Sequence, residues 1–179
     1  MTSTPQHIED LIAHERAQFI AQYQAVPAGR RTERPASGGW SAAEVVEHVT
    51  RVETGVVVMI TKGASLPRTA TEAELADAQI TERKARIVRD RSVKVEAPAR
   101  VHPQNTVDAE AVLAQLVQSR EALLTAFRAA DAAVLDGVTY PHPFIGPLTL
   151  RAWVELIAHH DARHAQQIAE LFASPTKES

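Results

Sequence analysis

Four stretches of this chain repeat apolar side chains at steps of three and four, and long connections bearing proline or glycine separate them, a pattern that leaves little room for anything but packed helices. Ile8, Leu11, Ile12, Phe19, Tyr23 and Val26 predict a helix over about 6–26, closed by Pro27 and Gly29. After a breaker segment through Pro35 and Gly38-Gly39, Ser41-Ala-Ala-Glu44 has the form of a capping box, so a second helix starts there. Its stripe is Val45, Val49, Val52, Val56, Met59 and Ile60. Valine favours strands, but cap and period together outweigh that weak preference. Residues 72–91 read as helical and highly charged, with ERKARIVRDR a solvated face or partner surface. VKVEAPARVHPQNT, from Val93 to Thr106, reads as an extended loop because Pro98 and Pro103 interrupt any helix. A third core helix follows over about 107–130 on Leu113, Leu116, Val117, Leu124 and Phe127. YPHPFIGPLT then leads to the last helix, with Thr149 as N-cap. No run reads as a strand. The expected fold is all-α, a four-helix bundle with long connections, and the 179 residues form a single domain with its core at about 8–172.

The last helix contains HHDARHAQQI. His160 and His164 are four apart and share a face, and they continue the stripe of Trp153, Leu156, Ile157, Ile168 and Leu171. His159 lies about 100° of helix rotation away and points elsewhere. On the second helix His48 falls between Val45 and Val52, on the inward side. A lone inward histidine is ordinarily a core residue bonded to a carbonyl or carboxylate. Three need more explanation, because a buried imidazole is costly unless its nitrogens find partners. Two nitrogens a turn apart and one from another helix suit a divalent metal and leave a position for water or substrate.

Glu15 falls near the first stripe and Arg120 on the third. Both read first as buried ion pairs or snorkelling side chains, and functionally as a group supporting the ligands and an anchor for an anionic substrate. Gln167, three residues past His164, can orient an imidazole. Trp153, seven residues before His160, is a further candidate near the site, although an aromatic in that position, like Trp40, is ordinarily core. His7, His14, His102 and His142 read as surface or loop residues, with His142 nearest the bundle mouth. Glu44 and Glu47 are poor general bases for His48's neighbourhood, since one caps the helix and the other is expected to face away.

Composition narrows the partners. A net charge of −3 gives no footprint for nucleic acid, and no stretch is long and apolar enough for a membrane span. MTSTPQHIED has no basic and apolar leader, so the cytoplasm is expected. Cysteine is absent, which removes disulfides, thiolate ligands and a cysteine nucleophile at once. Any thiol chemistry must use an exogenous thiol.

GWSAAEVVEHV with His48, the APARVHP loop, the HPFIGPLTLRAW connection and HHDARHAQQI with His160 and His164 together resemble the DinB-like, or YfiT-like, four-helix bundles over about residues 8–172. The resemblance implies an up-down-down-up topology and a divalent metal, zinc or nickel, held by His48, His160 and His164. With the charged 72–91 segment, it also implies a homodimer acting on a small molecule. Some members of that family are thiol-dependent S-transferases or isomerases, and others have been named hydrolases. Three functions are therefore expected in order: a metal-dependent transferase or isomerase that joins a low-molecular-weight thiol to a small electrophile, a metal-dependent hydrolase, and a non-catalytic metal-binding stress-response protein.

Overall fold

Each long apolar stripe becomes a helix in the computed structural model, which describes residues 3–36, 38–68, 70–104 and 108–171. Helix α1 spans Pro5–Ala25, with Thr4 capping and Pro5 in the first turn, where its missing N–H costs nothing. Helix α2 spans Ala42–Gly63. Its capping box is complete: Ser41 Oγ accepts from the Glu44 N–H at 3.2 Å, and Glu44 Oε2 accepts from the Ser41 N–H at 2.8 Å.

The charged 72–91 segment is two helices rather than one, α3 over Glu72–Asp77 and α4 over Glu82–Arg89. Thr71 caps the first and Thr81 the second, so a second start signal inside the segment divides it. Between them Ala78 is fully buried, and its carbonyl accepts from the Thr149 N–H at 2.9 Å. The extended loop that follows contains a 3₁₀ turn at Ala99–Val101; its expected end at Asn105 and Thr106 lies outside the described residues.

Helix α5 runs Val112–Ala129, starting later than its stripe suggested because turns occupy 109–111. A short helix α6, Ala132–Gly137, is capped by Asp131. The expectation of no strands is corrected by a hairpin: β1 (Thr139–His142) pairs antiparallel with β2 (Gly146–Thr149). Pro141 faces Pro147 in that ladder, and those prolines concealed it, since proline ordinarily argues against a paired strand. Gly146 turns the chain back at φ +79°, a conformation that favours glycine. Helix α7, Leu150–Glu170, begins at once, with Thr149 Oγ1 accepting from the Ala152 N–H.

Helix directions follow from which apolar residues meet. One cluster gathers Ile8 and Ile12 of α1, Val56 and Ile60 of α2, Leu123 and Phe127 of α5, and Val154 and Ile157 of α7. The other gathers Phe19 and Tyr23, Val45 and Val49, Val112 and Leu116, and Ala165 and Ile168. Helices α1 and α7 thus run from the first cluster to the second, and α2 and α5 run back. The bundle is up-down-down-up.

A polar layer divides the two clusters. Arg16 of α1 donates to Asp161 of α7 at 2.9 Å and to Glu53 of α2 at 3.3 Å. Arg120 of α5 donates to Glu53 at 2.5 Å and to Asp161 at 2.9 Å, while the Ser119 hydroxyl also donates to Glu53 at 2.5 Å. Glu53 and Asp161 are completely buried. Two cations and two carboxylates, one from each helix, so cancel inside the bundle. Among the described residues no helix is long and apolar enough to cross a membrane.

Candidate metal centre

The capped start of α2 and the second half of α7 bring His48, His160 and His164 together. Their candidate ligand nitrogens all lie within 4.8 Å of one another. His160 Nε2 is 3.3 Å from His48 Nε2 and 3.1 Å from His164 Nε2. Zinc–nitrogen bonds of 2.0–2.1 Å at tetrahedral angles would separate two ligand nitrogens by about 3.3 Å. The spacing fits.

The outer nitrogens decide which way the imidazoles present themselves. His48 Nδ1–H donates to the Val101 carbonyl at 2.8 Å, the acceptor supplied by the 3₁₀ turn. His164 Nδ1–H donates to Gln167 Oε1 at 2.7 Å. Both rings then carry their proton outward and turn the Nε2 lone pair to the centre. His160 Nδ1 is buried with no partner among the described residues. If its proton sits on Nε2 it can satisfy one of the two facing lone pairs and not the other. A cation satisfies all three, so the donor set suits a divalent metal such as zinc, which takes neutral imidazole readily.

Burial dominates the electrostatics. It brings His48 down to about 4 against the opposing pull of the Val101 carbonyl, with His102 and Arg51 adding to the fall. Burial, then neighbouring imidazoles, hold His160 well below the usual histidine range. Burial and His48 do the same to His164. Neutral rings are the form that ligates.

Other sequence candidates fall in several places. Gln167 is beside His164 as its position suggested. Trp153 is buried, with its indole N–H donating to the Tyr140 carbonyl at 3.2 Å, and it packs on His142 at 5.2 Å between ring centres. Glu15 is not one of the three clustered residues: it accepts from Arg89 at 2.7 Å, and Arg89 Nε donates to His159 Nδ1 at 3.0 Å. His159, itself buried, therefore ties α7 to α4. Arg120 is spent in the ionic layer, which corrects its reading as a substrate anchor in favour of a buried ion pair. Glu47 does not face away; it is buried, and Oε1 accepts from the Gln104 N–H at 2.9 Å.

Sequence reasoning missed Arg16, Glu53 and Asp161. Each interrupts an apolar stripe, as Arg120 does: Arg16 stands four after Ile12, Glu53 four after Val49, and Asp161 four after Ile157. The same signal, a charge in a core position, could have found all of them. Trp40, whose ring lies 4.7 Å from that of His48, was legible only as a core aromatic.

An up-down-down-up helical bundle with three inward imidazoles from two helices defines a class of bundle proteins built around a cluster that could hold a metal. The chain belongs to the DinB superfamily, whose sequence model matches residues 11–168. It is similar to the uncharacterised protein YuaE of Bacillus subtilis (strain 168), at 26% identity over 140 residues, which cover 78% of this chain and 81% of YuaE. Among solved structures it resembles TT2238, a four-helix bundle protein, with a TM-score of 0.61 and 20% identity across 93% of this chain and 98% of that one. It also resembles YfiT from Bacillus subtilis, described as a probable metal-dependent hydrolase with an unusual four-helix bundle topology. That match has a TM-score of 0.60 and 16% identity, covering 95% of this chain and 88% of YfiT.

Proposed function

We propose that the protein is a divalent-metal enzyme that activates a low-molecular-weight thiol towards a small electrophile, as a transferase or isomerase. The observation that carries this reading is a cluster made of imidazoles alone, with no carboxylate among its members in the described residues. A divalent ion, zinc or nickel, would supply positive charge that favours deprotonation of a thiol or water at the centre. His48, His160 and His164 are neutral donors and leave that charge uncancelled. The Val101 carbonyl and Gln167 hold two of the rings with Nε2 forward. Trp40 covers one side of His48.

Attack by water calls for a base, and the nearest carboxylates in sequence are occupied, Asp161 by Arg16 and Arg120 in the ionic layer. Glu44 pairs with Arg34 and caps Ser41, while Glu47 holds the Gln104 N–H. An incoming thiol needs less help, because its proton is lost far more readily than water's. The absence of cysteine makes the thiol a co-substrate rather than a side chain.

A second reading, metal-dependent hydrolysis, is favoured by the likeness to YfiT, a probable metal-dependent hydrolase. The test is to titrate several small thiols against a panel of electrophiles, with ester and amide substrates run in parallel. Turnover that requires metal and thiol together, and that His164→Ala loses, is expected. Metal-dependent hydrolysis without thiol would transfer the case to the hydrolase. No turnover of either kind, with metal bound, would leave a non-catalytic metal-binding protein.

A further inference from the structure

The hairpin sets a fourth imidazole against Trp153, on the helix that carries His160 and His164. His142 ends β1 opposite Gly146, half-buried, with its ring against Trp153 and 5.8 Å from that of Phe144. Its Nδ1 accepts from the Phe144 N–H at 3.3 Å, so the proton of the neutral ring rides on Nε2. Burial brings His142 down to about 4, which keeps the ring neutral and this single N–H in place at neutral pH. Trp153 stands two helical turns before His160 on the same face of α7.

Several other polar groups around the imidazoles are committed to the protein itself, although Arg51 Nε, one turn beyond His48 on α2, has no partner among the described residues. Gln167 holds His164, Arg91 pairs with Glu170, and Arg163 donates to the carbonyls of Val88 and Val93. His142 Nε2–H has no acceptor among the described residues. It is a neutral, unspent donor held against Trp153, on the α7 face that leads to His160.

We propose that His142 binds the substrate of the three-histidine centre, its Nε2–H donating to a carbonyl or carboxylate oxygen of the molecule that reacts there. This assignment rests on the metal reading above, and the experiment separates the two. Long-range proton–nitrogen NMR of the metal-free protein should show His142 as the Nε2–H tautomer; the Nδ1–H tautomer would overturn the assignment. In cobalt(II)-loaded protein, the visible spectrum then reports titrations with mercaptoacetate, which carries a carboxylate, and with ethanethiol, which carries no oxygen. His142→Phe should weaken mercaptoacetate about tenfold and leave ethanethiol unchanged, and His142→Gln, which keeps an N–H near the same place, should recover most of the loss. Equal weakening of both probes, or none, rejects His142 as the donor while the metal reading stands. Failure of the wild-type protein to take up cobalt rejects the metal reading, and this assignment with it.

Discussion

An outward hydrogen bond from one imidazole nitrogen turns the other's lone pair inward, and the two ligand candidates with settled outer nitrogens use different acceptors. His48 leans on a backbone carbonyl, whereas His164 leans on a side chain, Gln167. The second support can be removed by substitution. Gln167→Ala is expected to weaken zinc binding by roughly 10- to 100-fold, measured by competition with a chelating dye, with helical circular dichroism unchanged. An unaltered affinity would show that Gln167 does not set the ring. The sequence made this pair legible, because a three-residue step on a helix is enough to bring Gln167 to His164. It could not show the partner of His48, since Val101 lies 53 residues away and offers only its main chain.

Among the elements, α2 depends most plainly on local chemistry, and its capping box was readable from four letters. What the letters did not show is Arg34, which pairs with the capping Glu44 from the preceding loop. Burial works to raise the Glu44 carboxyl, but the Arg34 guanidinium and the Ser41 N–H outweigh it and hold the group below its usual range. A carboxylate with a lowered pKa in the folded state adds stability above its unfolded value and loses it as pH falls through the folded one. Urea denaturation between pH 6 and 3 should therefore show stability falling with acid. In Glu44→Gln that part of the dependence should be missing, and an unchanged slope would reject the assignment. Elements whose signals are local and periodic were foreseeable. The hairpin and α6 were not, because four-residue strands containing proline and a six-residue helix give too short a pattern to separate from a loop.

For the whole molecule, the ionic layer fixes how the four helices stand against one another. Sliding one helix by a turn would set a charge against an apolar cluster, so the layer makes a single register cheaper than its neighbours. Asp161→Ala leaves Arg16 and Arg120 sharing Glu53 alone and is expected to cost about 3–5 kcal/mol in urea denaturation. Replacing Arg16 and Arg120 with Met and Glu53 and Asp161 with Leu together should recover most of that loss; a variant no steadier than Asp161→Ala would show that the layer itself is a net source of stability. We also propose a symmetric homodimer, supported by the charged face of α4, and light scattering at a concentration-independent monomer mass would reject it. The layer has a bearing on the history of the chain as well. Its four charges come from four separate codons and cancel only as a set, so a lineage that loses any one of them must carry a buried, uncancelled charge until a second change arrives. Descent therefore tends to keep this arrangement whole or to give it up through intermediates that fold poorly.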